Sequence, residues 1–198
     1  MPNTSASGGY LTPTSAPLVE DSELDDIFTA AILGITGLTP GLVRPRWQPK
    51  EPLQPAGNVN WCAFGITTDE TDAHGAVLQH DPTADGGNGQ DNYQRQTAIT
   101  LLASFYGPNG KGFAELMRDG LAVPQNREEL QLNSIAFVTA GTIRAAPDSI
   151  NMQWVKRYDL ELSFRRQIDR TYAVQNILSV GIQIETCDVT NEIIVSGD

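Results

Sequence analysis

A long two-residue alternation followed at once by a helical stripe, Tyr93–Leu121, constrains this chain more than any other stretch. Tyr93, Thr97, Ile99, Leu101, Ala103 and Phe105 share one face at a period of two. Gln94, Gln96, Thr100 and Ser104 share the other, with Leu102 the apolar exception. That is the pattern of a strand with one buried and one wetter face. Gly107-Pro108-Asn109-Gly110 then breaks the strand with residues that supply a positive or a fixed φ. Phe113, Leu116, Met117 and Leu121 follow at i, i+3, i+4 and i+8, a helical stripe able to fold back onto the sheet. A second alternation over Trp154–Ile168 points Tyr158, Leu160, Leu162 and Phe164 one way and Arg157, Asp159, Glu161, Ser163 and Arg165 the other. At ~3.3 Å per residue each of these strands runs ~45 Å, beyond the usual range. Strands that long typically project past their own core and suit subunit contacts.

The remaining segments read as supports. Residues 1–20 are rich in Ser, Thr, Pro and Gly and predict an extended or disordered arm. Ser22-Glu23-Leu24-Asp25 has the form of a capping box, and Leu24, Ile27, Phe28, Ala31, Ile32 and Ile35 predict a helix over Glu23–Leu33, ended by Gly34, Gly37, Pro40 and Gly41. Leu42–Pro49, interrupted by Pro45, predicts an edge strand or an ordered loop. Within it Arg44, Arg46 and Trp47 make either a protein-binding anchor, since Trp and Arg are enriched at interface centres, or a Trp that closes the core with two arginines outside. Asn60–Thr67 predicts a buried strand, and the Asp- and Gly-rich stretch Thr68–Asp91 a mobile hairpin tip. Asn126-Arg127-Glu128-Glu129 suggests a second capping box before one or two helical turns. Ile135–Ile143 is apolar on both faces, as in a central strand covered on both sides. Turn chemistry falls at Pro147-Asp148, a turn of helix at Gln175–Leu178, and a last strand on Val180, Ile182 and Ile184. Ile193-Ile194-Val195, in the C-terminal tail, is suited to adding to a neighbouring sheet edge.

Chemistry is hard to find. The 198 residues suffice for one core, so one domain with tails is expected. The N-terminus lacks the basic segment and apolar core of a signal peptide, and no run approaches the ~20 apolar residues of a membrane helix. Cys62 and Cys187 follow no spacing pattern, and a reduced cytoplasmic pair is favoured over a disulfide. The net charge of −11 argues against a broad basic grip on nucleic acid. It reads first as solubility, and second as a wall past which DNA can slide. His74 and His80, with Asp69, Asp72 and Asp81 nearby, have no recurring ligand spacing, so no metal is expected. Gly107–Gly112 links a strand to a helix but lacks the ending and glycine spacing of a phosphate loop. No G-x-S-x-G is present, and Asp159 and Glu161 share their face with Arg157 and Arg165, which fits a salt-bridge ladder better than acid–base catalysis. The expectation is a non-enzyme without cofactors.

Several strings nevertheless form a recognisable set. Gly34-Ile35-Thr36-Gly37-Leu38, Val43-Arg44-Pro45-Arg46-Trp47-Gln48-Pro49, Trp61-Cys62-Ala63-Phe64-Gly65-Ile66 and Ser104-Phe105-Tyr106-Gly107-Pro108-Asn109 resemble the neck/tail terminator (gateway) family of tailed bacteriophages. So do Arg118-Asp119-Gly120-Leu121 with Gln125-Asn126-Arg127-Glu128, and Arg157-Tyr158-Asp159-Leu160-Glu161-Leu162 with Arg165-Arg166. The resemblance spans about Glu23 to Thr186, inside a domain taken as 21–187 between an arm (1–20) and a tail (188–198). It implies an α+β fold: a mixed, mainly antiparallel sheet of about four to six strands, flanked by two or three helices. It further implies a ring, a hexamer, at the head–tail junction of the virion, assembled in the host cytoplasm with no membrane involved. Such a ring caps the tail tube and joins it to a neck, collar or connector protein, touches the sheath where there is one, and passes double-stranded DNA without reading its sequence. The alternatives are a collar or head-completion protein one ring higher and, remotely, a small nucleotide-binding enzyme. Interface or lumen candidates are Arg44, Arg46, Trp47, Gln94, Gln96, Arg157, Asp159, Glu161 and Arg165. In this reading the alternating charges of Arg157–Arg165 fix register between identical subunits, and charge reversal at Glu161 disrupts the ring while leaving the monomer folded.

Overall fold

Two long strands organise the chain, as the period-two patterns predict: β4 (Gln90–Tyr106) has 17 residues and β9 (Arg157–Tyr172) has 16. The computed structural model describes residues 3–50, 52–72, 76–150, 152–177, 179–186 and 189–196, with backbone alone at Ile150 and over 179–196. The fold is α+β with a mixed, mostly antiparallel sheet. The chain divides into two compact units. The larger comprises Pro17–Gly75 and Arg95–Ile168; the smaller comprises Met1–Ala16, Ala76–Gln94 and Asp169–Asp198. Among the described residues no helix is long and apolar enough to cross a membrane.

In the larger unit, β1 (Val43–Pro45) runs parallel to β2 (Trp61–Thr71), which pairs antiparallel with β4; β9 follows, then β5 (Ile135–Ala140). The short β6 (Arg144–Ala145) also pairs with β9, and β7 (Asp148–Ile150) forms a hairpin with β8 (Gln153–Val155). Two helices, α1 (Asp21–Thr36) and α3 (Gly110–Gly120), cover the apolar face of this sheet. Leu24, Phe28 and Ile32 of α1 and Ala114 and Met117 of α3 share one core with Phe64, Leu101, Phe105, Leu160 and Phe164. Phe164 packs between Phe28 and Phe137, with ring centroids 5.1 and 5.8 Å away. The turn between β4 and α3 requires Gly107: its φ is +104°, and a Cβ there would lie 2.5 Å from the Val59 carbonyl oxygen.

Several expectations need correction. The helix at α1 begins at Asp21, two residues early, so Ser22 falls inside its first turn and caps nothing; no side chain caps the helix. Asn126 likewise leaves its helix uncapped, because its Nδ2 donates to the Gly120 carbonyl (2.9 Å), and a 3-10 turn (Pro124–Arg127) precedes α4 (Glu128–Leu132). Leu116 is 51% exposed. The buried stripe of α3 centres on Gly110, Ala114 and Met117, and at 100° per residue Leu116 lies well off that line. Most informative is β5, an edge strand and not a central one. A bulge between Phe137 and Thr139 turns Val138 outward, so its apolar residues do not mark two covered faces. Asp148 opens a strand where a turn was expected, and the reversal falls at Met152 (φ +62°), beside Asn151, which lies outside the described residues. Trp154 belongs to β8, separated from β9 at Lys156.

Of the stretch Thr68–Asp91 expected as a mobile tip, the part in the smaller unit, Ala76–Asp91, is more regular than its composition suggests. After the end of β2 come β3 (Val77–Asp81), antiparallel to the first residues of β4, and a helical turn α2 (Ala84–Gly87), bent by left-handed Asp85 and Gly86. Polar Gln79, His80 and Asp81 hide this strand, because it is exposed and needs no apolar alternation. The arm is held here by backbone bonds from Ser5 to Ala173 (3.1 Å) and from Thr14 to Thr171 (2.7 Å). Residues 175–177 are irregular, where a helical turn was expected; Leu178 lies outside the described residues. The last strand appears as β10 (Ser179–Thr186), and β11 (Val189–Ser196) pairs antiparallel with it inside the stretch expected as a tail.

Candidate functional site

The face of the larger unit's sheet opposite the core gathers most of its unusual side chains. Alternation along β2 sends Cys62 and Phe64 into the core and Trp61, Ala63 and Gly65 to the other side. On β4, Tyr106 lies opposite Trp61 in register, and the two rings stack at 4.2 Å and 9°. The Arg157 guanidinium stands 5.8 Å from the centre of the Tyr106 ring. Burial raises the Tyr106 pKa, so its hydroxyl stays neutral.

A polar chain runs across these strands. The Arg46 guanidinium donates to Ser104 Oγ, whose hydroxyl donates to Asp159 Oδ1. Arg157 donates to Asp159 twice, at 2.8 and 2.7 Å, and approaches Asp148 at 3.7 Å. The bond to Asp159 holds the Arg157 pKa above its ordinary value. Parallel pairing of β1 with β2 positions the rim: the Arg46 amide donates to the Phe64 carbonyl at 2.7 Å, and the chain then turns at Trp47.

Trp47 adopts φ +58°, a region costly for a bulky residue. Its ring lies against Gly65, where a Cβ would meet Cζ3 at 2.6 Å. Yet the side chain is 73% exposed. Trp47 therefore does not close the core, which answers the alternative left open by the sequence. Arg44 donates to the carbonyls of Gly41 (2.9 Å) and Leu53 (2.8 Å). Arg44, Arg46, Trp47, Trp61, Gln54 and Pro52 line a surface cleft of about 440 Å³.

Of the residues singled out from sequence, Arg44, Arg46, Trp47, Arg157 and Asp159 come together here, linked through Ser104. The others do not join them. Glu161 pairs with Arg144 at 3.7 Å on the surface, and Arg165 pairs with Asp72. Gln96 donates to Gln167 (3.2 Å), and Gln94, in the smaller unit, donates to Asp169 (3.0 Å). The alternating charges of β9 are thus matched inside the chain. Sequence reasoning missed Trp61, Gly65 and Tyr106 as members of the site, although their positions one step out of phase with Cys62, Phe64 and Phe105 mark the opposite face. It also missed Arg166, 4% exposed, which donates to Glu20 and to the Val19 carbonyl. Its place on the Leu160–Phe164 parity was the available signal.

Other sites considered from sequence look structural. The Asn109 amide is taken by Asn60 Oδ1 (2.9 Å), and Lys111 pairs with Glu115, so the Gly107–Gly112 turn is fixed by its own chain. Cys62 is buried, and burial pushes its thiol pKa far up; Cys187 lies outside the described residues. His80 sits between Asp91 and Asn176, while His74 lies outside the described residues. Among the described residues no cluster of His, Cys, Asp or Glu is arranged to hold a metal.

A family model described as phage neck terminator protein matches residues 22–190, most of the chain and all of this site. No curated protein matches the sequence.

Proposed function

Since this chain belongs to the phage neck terminator family, a family of structural phage proteins, we propose that it is a ring subunit, six to a ring, at the head–tail junction. The ring caps the finished tail tube, docks it to the neck or connector protein, and leaves a channel for DNA. The observation that carries this reading is Trp47: exposed, held over Gly65 in a strained conformation, and flanked by Arg44 and Arg46. Strain of this kind persists where the surroundings over-determine it, and it is concentrated at functional sites. Trp and Arg are also the residues most enriched at interface centres. The net charge of −11 suits a wall that DNA passes without sticking. The β9 charges carry less of the argument, because they are paired within the chain.

Electron microscopy of the purified protein, alone and mixed with tail tubes of the same virus, tests the proposal. Rings, or a cap on one tube end that stops further growth, are expected. A monomer that ignores tubes but binds a portal-side connector would move the protein one ring higher. A monomer that binds neither would refute the assembly role.

A further inference from the structure

We infer that the Arg44–Arg46–Trp47 cleft is the socket for the acidic start of α1 in a neighbouring copy of this chain, so that each subunit offers one socket and one plug. The inference rests on the ring reading above and assigns its contact.

The two arginines of the socket hold no carboxylate directly, Arg46 reaching Asp159 only through the Ser104 hydroxyl. Arg44 spends its bonds on two neutral carbonyls and Arg46 on a neutral hydroxyl, and neither forms an ion pair among the described residues. The buried Nε of Arg46 has no hydrogen-bond partner. A guanidinium that holds no carboxylate keeps its charge and its remaining N–H donors for one. Beside them the exposed Trp47 ring offers an apolar shelf.

The plug is the densest acidic stretch of the chain: Asp21, Glu23, Asp25 and Asp26 within six residues. Asp21, Glu23 and Asp26 are exposed and make no ion pair among the described residues. They repel one another: the Asp25 pKa is raised by partial burial and then by the charges of Asp26 and Asp21. A cation brought to this stretch relieves that repulsion. Arg166 fixes Glu20 immediately before it, so the plug is anchored to β9 and is not a loose tail. One face meeting a different face is a heterologous contact, the kind that closes into rings.

The test uses full-length chains, with self-association followed by analytical ultracentrifugation and rings counted by electron microscopy. Arg44→Glu and the double variant Glu23→Lys/Asp26→Lys should each weaken self-association about tenfold or more, with circular dichroism and a cooperative melt that still report a folded chain. Mixing the two variants pairs an intact socket with an intact plug at one contact and a reversed socket with a reversed plug at the next, so the mixture should associate again into rings of alternating subunits. Combining all three substitutions in one chain should recover much of the assembly. Variants that assemble like the wild type, or a mixture that does not associate, would overturn the contact while leaving the ring intact. A wild-type chain that forms no ring, alone or on tail tubes, would overturn both readings. Duplex DNA that binds the wild type and is lost on Arg44→Glu would give the socket to phosphate and overturn the plug.

Discussion

Trp47→Gly should leave the monomer nearly as stable as the wild type and abolish assembly. The wild-type residue holds a left-handed backbone conformation, a strain of ~1–2 kcal/mol that glycine removes. Against this stands the lost ring contact. With 73% of the residue exposed, about a quarter of a ~250 Å² side chain is covered, and at ~25 cal/mol/Å² this is worth ~1.6 kcal/mol. Glycine adds a backbone entropy cost of roughly 0.5–1 kcal/mol. These contributions leave a net loss of about 1 kcal/mol, small beside the ~3–5 kcal/mol of a buried Trp truncation. Urea denaturation at a concentration where the protein is monomeric measures the first quantity, and electron microscopy with tail tubes measures the second. A loss above ~3 kcal/mol would mean that Trp47 supports the core. Normal rings would mean that the exposed ring touches nothing in the assembly.

Gly65→Ala attacks the same residue from below: its Cβ would sit 2.6 Å from the Trp47 ring, which must swing off the strand. Because that ring is exposed, the folding loss should stay below ~1–2 kcal/mol, while ring formation falls as for Trp47→Gly; unchanged assembly would show that the seat of the ring is immaterial. Phe164→Ala, by contrast, should cost ~3–5 kcal/mol in urea denaturation, since Phe164 is 1% exposed between Phe28 and Phe137; a cost under ~1 kcal/mol would contradict the core described above. His80 should titrate above its ordinary value. Asn176 Nδ2 donates to the Pro82 and Gly87 carbonyls, so its Oδ1 faces the His80 ring, as does Asp91 Oδ1, and both ring nitrogens must donate. These two hydrogen bonds, with the charges of Asp91 and Asp81, raise the pKa. The stabilisation is therefore full below about pH 6.5, the unfolded value, and is lost as pH rises through the higher folded value. Nuclear magnetic resonance of the His80 ring checks this, and a midpoint at or below the ordinary value would refute it.

What the sequence made legible was whatever periodicity records. The odd positions of β4 from Thr97 to Phe105 are buried, and the even positions of β9 from Leu160 to Ile168 are buried, as their alternation requires. Helix α1 was legible for the same reason. The misreadings occurred where local composition gave no information about what covers a strand. Ile135–Val138 is apolar because of its own alternation plus a bulge, which a single sequence cannot distinguish from a strand buried on both faces. β3 is polar because it is exposed, so its pairing with β4 left no apolar trace. The candidate site was half legible: Arg44, Arg46 and Trp47 announced themselves by residue type. That Arg46 reaches Asp159 through Ser104 depends on pairing between strands far apart in the chain.

That pairing also ties the site to the fold. On β4, Ala103 and Phe105 enter the core, while Ser104 and Tyr106, one step away, build the site. On β2, Cys62 and Phe64 do the first task, and Trp61 and Gly65 the second. A one-residue slip in either strand would exchange the two sets, putting Ser104 among phenylalanines and Phe105 under Arg46. The burial of Phe64, Phe105 and Phe164 therefore does more than stabilise the monomer. It fixes the register that stacks Trp61 on Tyr106 and brings Arg46, Ser104, Asp159 and Arg157 into a single hydrogen-bonded chain. Substitutions on the outer side of the sheet, such as Trp47→Gly in the loop seated on Gly65, should then disturb the site without touching the fold, whereas substitutions on the inner parity should disturb both.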